Sequence, residues 1–346
     1  MFYFVEINVY HIKRGGTLIK KYRDIPYRVL KLEALLRRLL QDHAIREQIE
    51  ADLGARQAGI RGEKALDYYI AQITEKGHFI FQNLRLPLPN GSFFQIDILF
   101  LSQRQFIIFE AKNISGDIYI DPNQMERTLG ETKNSYSNPI DQVANQQYHL
   151  QNLIESHMNI KLPAYSFVVF TNQNSTIIPN PQYRAIAEKV IRPLVIRQRV
   201  AILSERNRRD IMEKKQLNKL ARILLKLHTP DDPNILDKFL INKEELITGI
   251  QCENCKNFTV QKYGHAWLCT NCNGISKTAH LRALLDYCLL IGSTISRKQC
   301  SEFLHLTPSV SSKLLRSLKL PTSGKLKTQT YELSISDLQK RIEETK

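Results

Sequence analysis

Asp97, Glu110 and Lys112 are the residues whose types and spacing first suggest chemistry in this chain. They lie in FFQIDILFLSQRQFIIFEAKN, residues 93–113, where two runs rich in Ile, Leu and Phe (93–101 and 106–113) flank the polar Gln103-Arg104-Gln105. Such runs read as the two strands of a hairpin. Side chains alternate between the faces of a strand, so Glu110 and Lys112 share a face and Asp97 can meet them from its neighbour. Phe94, Ile96, Ile98 and Phe100 are expected on one face of the first strand, with Leu99, Leu101 and Asp97 on the other. A strand apolar on both faces belongs at the centre of a sheet. Charges buried there are costly unless paired or bound to a metal, which favours a functional cluster over a solvated edge. A metal site and an ion-pair cluster both remain open.

The flanking elements must position these groups. Between 27 and about 57, Val29, Leu30, Leu32, Leu35, Leu36, Leu39 and Leu40 recur near the helical period, an amphipathic lead-in expected to pack on the domain that follows. After Gly59 and Gly62 a new helix is expected, with Glu63, Leu66, Ile70 and Ile73 on one face. Glu63 on that buried side is either a first-turn glutamate favoured by the helix dipole or a residue aimed at a polar site. A strand over 78–86 and a Pro-Asn-Gly turn at 89–91 lead into the hairpin. Residues 113–138 are polar, with a short strand over 118–120 between turn residues, and suit a substrate-facing loop. Asn138-Pro139 starts a helix, with Asn as N-cap, Pro at the first position and Asp141 in the first turn. Its Gln142, Gln146 and His149 form a stripe, and the last two are read as facing solvent. A buried strand over 165–171, a further strand over 195–203 and a basic helix over 205–228 complete the expected domain. Arg206, Arg208, Arg209, Lys214 and Lys215 make that last region a candidate phosphate-contacting surface.

The order and spacing of Gly59-Ile60-Arg61-Gly62-Glu63, Gln95-Ile96-Asp97, Glu110-Ala111-Lys112-Asn113 with Gly116, and Asn138-Pro139 with Gln142 resemble the NERD (nuclease-related) domain. That domain is a member of the PD-(D/E)XK nuclease-like superfamily, and the resemblance covers about residues 55–175. Ile96 stands where the superfamily's name-giving pattern has proline. The resemblance implies an α/β, restriction-endonuclease-like core of order αβββαβ, a central mixed sheet flanked by helices. It also implies a site formed by Glu63, Asp97, Glu110, Lys112 and Gln142. In such a site Asp97 and Glu110 would hold Mg²⁺ or Mn²⁺, with the Ala111 carbonyl and waters completing the oxygen shell. Lys112 would orient or help deprotonate the attacking water, Glu63 would ligate a second cation or hold a water, and Gln142 would position water or phosphate. The expected outcome is phosphodiester hydrolysis.

Cys252-x-x-Cys255, thirteen residues, then Cys269-x-x-Cys272 is the strongest single motif in the chain. Two such knuckles joined by a hairpin's length deliver four thiolates to one structural Zn²⁺. Cys288 and Cys300 sit in apolar helical settings and read as buried thiols. A helix over 278–291 precedes a pattern resembling a helix-turn-helix: 296–304, a turn over 305–309, and 310–318. Its second helix would present Ser311, Ser312, Lys313 and Arg316 to a major groove. Gly324 and the run 325–333 would form the returning strand of a wing. A small helical interaction module is the alternative.

The chain has 346 residues, a net charge of +15 and a sequence pI near 9.5. That balance favours a polyanionic partner, nucleic acid being the commonest, although the charge alone fits an anionic membrane or RNA equally well. With the motifs above, the expected partner is nucleic acid, DNA first. No apolar run approaches the roughly 18 residues of a membrane span, and the N-terminus lacks a signal-peptide layout. Paired Cys-x-x-Cys knuckles point to the reducing cytoplasm. The expected layout is an extension and helical lead-in (1–54), a nuclease-like domain (55–228), a linker (229–249), a zinc ribbon (250–276) and a helix-turn-helix-like domain (277–346). Arg14-Gly15-Gly16 is what a translated purine-rich ribosome-binding sequence would encode, with Leu18 as the start, and a short strand over 2–10 is the competing reading. The expected function is a metal-dependent nuclease. The alternative is a catalytically inactive nucleic-acid-binding or regulatory protein that retains the nuclease fold.

Overall fold

The computed structural model describes residues 18–325 and 328–345, so both readings of residues 1–17 and part of the expected wing strand lie outside the described residues. The chain forms two compact units. One comprises the N-terminal segment to Asp24 and Gln57–Pro230, the other Ile25–Arg56 and Asp231–Lys346. Among the described residues no helix is long and apolar enough to cross a membrane.

In chain order, the strap strand β1 (Leu18–Lys21) is followed by two helices, α1 (Tyr27–Arg38) and α2 (Arg46–Ile70), before the rest of the sheet. The sheet continues with β2 (His78–Pro87), β3 (Phe93–Ser102) and β4 (Phe106–Lys112). A smaller sheet is built from β5 (Gly116–Ile120), β6 (Gln124–Leu129), β7 (Thr132–Ser137) and, after α3 (Pro139–Met158) and β8 (Ala164–Phe170), β9 (Ser175–Ile178). Helix α4 (Ala185–Lys189), β10 (Val190–Ile191), α5 (Ile196–Arg206) and α6 (Lys214–Leu227) close the unit. The main sheet is mixed and ordered β1-β2-β3-β4-β8-β10, with β2, β3 and β4 antiparallel and the β1–β2, β4–β8 and β8–β10 pairs parallel. One face is covered by α3 and α6 through Val143, Leu150, Ile154, Leu217, Leu220 and Leu224. The other is covered by α2 and α5 through Leu66, Ile70, Ile196, Val200 and Leu203. The central α/β sheet flanked by helices is therefore present, and β3 and β4 are buried on both faces, as continuous apolar strands require.

The strict face alternation expected along β3 breaks at Asp97. Phe94 and Ile96 pack with Leu99 and Leu101 on the α3 side, whereas Ile98 and Phe100 pack on the α2 side. The cause lies across the ladder: Asn83 falls between the Gln82–Ile98 and Leu84–Ile96 pairs, opposite Asp97, and adopts φ 52°. A left-handed residue bends its strand and resets the side-chain parity. The chain thus changes face at the candidate carboxylate.

Three further expectations are corrected. The region expected as a lead-in followed by a new helix after the glycines contains one continuous helix, α2, running through Gly59 and Gly62. The strand expected over 195–203 is α5, whose buried Ile196, Val200 and Leu203 recur at helical offsets of four and three. Its β-branched content misled the strand reading. The polar stretch after β5 forms the β6–β7 hairpin, whose polar edge strand lacks apolar alternation.

In the second unit, α1 packs on α8 (Ala279–Leu290), reached after α7 (Ile235–Phe239), β11 (Val260–Tyr263), β12 (Ala266–Cys269) and β13 (Ile275–Ser276). Arg38 is fully buried, donating through Nε to Asp286 Oδ2 (3.0 Å) and through Nη1 to the Ile247 carbonyl (2.8 Å). Arg37 donates to the other oxygen of Asp286 (2.7 Å). The lead-in helix, expected to pack on the domain that follows it, instead belongs to the second unit and packs there through a shared buried acid. Residues 229–249 carry α7, whose Ile235, Leu236 and Phe239 are buried. After α8 come β14 (Thr294–Ser296), α9 (Arg297–Leu304), α10 (Pro308–Ser317), β15 (Thr322–Ser323), β16 (Thr330–Glu332) and α11 (Ile335–Glu344). β14, β16 and β15 form a small antiparallel sheet in that order.

Candidate functional site

The β3–β4 ladder ends at the Ile98–Phe109 pair, and Asp97 and Glu110 are the next residues of their strands beyond it. Both are buried, 8% and 5% exposed. The Ala111 N–H donates to Asp97 Oδ2 (2.9 Å), which ties the aspartate to the next strand. Helix α3 supplies the facing wall. Its N-cap Asn138 accepts from the Ile140 N–H (2.8 Å) and Pro139 occupies the first turn, as expected. That start brings Gln142 and Gln146, one turn apart, over Glu110. Gln142 Nε2 donates to Glu110 Oε1 (2.6 Å) and Gln146 Nε2 to Oε2 (2.9 Å). Lys112 Nζ completes the group, donating to Glu110 Oε1 (3.0 Å) and Gln142 Oε1 (2.8 Å).

Glu63 comes from the other face, on α2. This approach depends on Gly62: a Cβ there would lie 2.4 Å from Asn113 Cβ. Asn113 in turn donates to the Ala58 carbonyl (2.8 Å), fastening α2 to the end of β4. Glu63 Oε2 is ion-paired with Arg23 Nη1, and Arg23 Nη2 also reaches Asp67 Oδ1 (3.4 Å).

Burial raises the Asp97 carboxyl well above the usual range, and the nearby Glu110 and Glu63 charges push it further; the Ala111 N–H and Arg23 oppose the shift. Burial also raises Glu63, chiefly against the Arg23 charge, with Glu110 and Asp67 adding to the rise. Carboxylates that raise one another are short of positive charge. Their hard oxygen donors suit Mg²⁺ or Mn²⁺, which need only one or two carboxylates beside waters. The donor set fits such an ion, although Glu110 is at present held by three nitrogen donors. Gln146 Oε1 is buried without a hydrogen-bond partner beside it.

The family model NERD, the nuclease-related domain, matches residues 58–171. That segment is a nuclease-related domain. No curated protein and no solved structure matches the chain. The matched span of the nuclease-related domain takes in Glu63, Asp97, Glu110, Lys112 and Gln142, all five of the expected site residues, and Arg23 lies outside it. Two participants were missed in the sequence. Gln146, read as facing solvent, is 5% exposed and bonded to Glu110; its spacing of four from Gln142 is the signal that finds it, because both must share a helix face. Arg23 is forty positions from Glu63, and no local pattern marks it.

In the second unit the four cysteines form a ready cluster. Among the described residues they alone bring three or more Cys, His or carboxylate ligand atoms within 4.8 Å of one another. Cys252 and Cys272 Sγ are 3.6 Å apart, as are Cys255 and Cys269 Sγ. Tetrahedral Zn–S bonds of about 2.3 Å place sulfurs at close to that separation. Each knuckle closes on a left-handed residue after its second cysteine, Lys256 (φ 64°) and Asn273 (φ 57°). A Cβ on Gly274 would meet Asn254 Nδ2 at 2.6 Å. The Thr259 hydroxyl leads the groups that pull the Cys269 thiol down to about 6. The cluster is consistent with a zinc site.

Of the residues expected on α10, Lys313 and Arg316 are exposed and Ser312 is half-buried, while Ser311 is fully buried beside Cys300 and faces inward. On α6, Lys215, Lys219, Arg222 and Lys226 form an exposed stripe at offsets of four, three and four.

Proposed function

We propose that this protein is a divalent-metal-dependent nuclease that hydrolyses phosphodiester bonds in nucleic acid, DNA first. The observation that carries the reading is the convergence of Asp97, Glu110, Lys112 and Gln142 on one buried point of a nuclease-related domain. Asp97 and Glu110 would hold Mg²⁺ or Mn²⁺, which when bound supplies charge to polarise the phosphate and acidify a water. Lys112 lies within reach of that carboxylate pair and can orient the attacking water or offset charge that builds on the phosphate oxygens. Gln142 bridges Lys112 and Glu110 and sets their separation, and Gln146 fixes the second oxygen of Glu110. The stripe on α6 offers phosphate contacts along about 16 Å of helix, from the 1.5 Å rise per residue.

The restriction-endonuclease-like core then reads as the catalytic part. The Cys252–Cys272 module reads as a zinc ribbon, and α8–α11 with their three-stranded sheet as a winged helix-turn-helix whose α10 meets the major groove with Ser312, Lys313 and Arg316. A thiolate metal site suits a reducing compartment such as the cytoplasm.

A second reading keeps the fold without turnover. It is favoured by the three donors that already satisfy Glu110. Salt-sensitive DNA binding that persists in EDTA, with no cleavage of any substrate, would support it. The test of the first is cleavage of labelled single- and double-stranded DNA and RNA with Mn²⁺ or Mg²⁺. Glu110→Ala and Lys112→Ala should each lower the rate by a factor on the order of 10²–10⁴ while circular dichroism shows the fold intact. Unchanged rates in both would eliminate the site.

A further inference from the structure

We infer that Arg23 serves the candidate site as a fixed cation at Glu63 and Asp67, so that the nuclease-related domain takes one divalent cation, at Asp97 and Glu110, instead of two. This rests on the metal-dependent reading above and deepens it.

The placement of Arg23 is built into the fold. β1 pairs in parallel with β2 at the sheet edge, and the chain then turns inward. The Arg23 N–H donates to Gln82 Oε1 (3.0 Å), and Gln82 Nε2 donates to the same Asp67 oxygen (2.9 Å) that Arg23 reaches. Lys21 staples the strap from the other side, with Nζ on the Gln82 carbonyl and Asp24, both at 3.2 Å. The Arg23 side chain is only 5% exposed. A guanidinium held from its own backbone and from both acids is part of the site's framework.

Charge balance leads to the same count. Four carboxylates, Glu63, Asp67, Asp97 and Glu110, face two fixed cations, Arg23 and Lys112. The deficit is two positive charges, which one divalent cation supplies. Lys64, the other cation near Asp67, is exposed and screened by water. A second divalent cation at Glu63 would have to expel the arginine and leave a buried positive charge unpaired, which is strongly unfavourable. Glu63 then acts as the arginine's anchor, and its influence on the metal passes through the field at Asp97.

The experiment counts Mn²⁺ bound to the full-length, zinc-loaded protein, using calorimetric titration with free Mn²⁺ read by electron paramagnetic resonance. Wild type should bind one Mn²⁺, Arg23→Lys one and Arg23→Gln two, while Arg23→Gln combined with Glu63→Gln should return to one. Glu63→Gln alone should keep its one site with affinity lowered about tenfold, which also decides the matter if Arg23→Gln does not fold. Two ions in wild type falling to one in Glu63→Gln would overturn the inference, as would a single ion in a folded Arg23→Gln. If wild type binds none, the metal reading of the site fails and the inference falls with it.

Discussion

The cysteine and carboxylate clusters achieve ligand proximity by different means. Cys252, Cys255, Cys269 and Cys272 are brought within 4.8 Å by two local knuckles and the hairpin between them. The acidic site instead draws Asp97 and Glu110 from a strand pair, Gln142 and Gln146 from α3, Glu63 from α2, and Arg23 from the strap before it. Its carboxylates already have partners: Lys112 and two amides on Glu110, a backbone N–H on Asp97, and Arg23 on Glu63. A thiolate cluster assembled from two adjacent knuckles suits a metal that holds the fold. A carboxylate cluster that is internally paired can stand without its ion, and suits a metal that comes and goes as part of a reaction.

The largest expected difference is in folding. Apparent zinc-binding energies in small structural sites are about 10–16 kcal/mol at neutral pH, so removing zinc with a strong thiol-compatible chelator, or Cys252→Ser, should abolish cooperative unfolding of the zinc-bearing module. Removing Mg²⁺ and Mn²⁺ should leave that cooperative unfolding in place. Scanning calorimetry decides this, and a thermogram indifferent to zinc removal would break the comparison.

Next in size is a test of how far the acidic site depends on remote packing. Gly62→Ala places a methyl against Asn113 and should destabilise the fold by about 1–3 kcal/mol, displacing Glu63 with α2. Gly59 on the same helix is exposed and a Cβ there meets nothing within 4 Å, so Gly59→Ala should stabilise by about 0.5–1 kcal/mol. Urea midpoints of the two variants should move in opposite directions.

The smallest effect concerns protons. Asp97 has a folded-state pKa raised above its unfolded value, foremost by burial. The folded protein therefore binds the proton more tightly, so this group's contribution is most favourable below the ordinary aspartate range and declines as pH rises through the raised value. Without divalent ions, Asp97→Asn should be more stable than wild type at neutral pH, with the gap closing as pH falls. His78, which burial holds down to about 4, opposes acid stability in both proteins, so their difference isolates Asp97. A gap that widens toward low pH would show that the aspartate is not desolvated.

What could be read in the sequence follows the same division between local and assembled features. The cysteine knuckles, the Gln103–Gln105 hairpin loop and the Asn138-Pro139 helix start were legible because each signal is complete within a few residues. Glu63 and Gln142, ambiguous by their own helical patterns, became legible only through the resemblance to the nuclease-related domain. Gln146 was misassigned because a polar helix stripe does not itself say which side faces water. The parity switch at Asp97 depends on Asn83 in the neighbouring strand, and the role of Arg23 on a pairing across forty positions. Ser311 looked like a surface residue among Ser312, Lys313 and Arg316, yet the turn of α10 carries it into the core. Local propensity does not report tertiary register, and tertiary register is what gathers the acidic site.

The most direct measurement is cleavage of a labelled DNA duplex by the zinc-loaded protein as Mn²⁺ is raised from zero. The expected result is no cleavage without Mn²⁺, a saturable rise as the ion is added, and a flat response in Glu110→Ala with its zinc content unchanged. Cleavage at zero Mn²⁺, or an identical rise in Glu110→Ala, would contradict the assignment of Asp97 and Glu110 as the metal-holding pair of a nuclease.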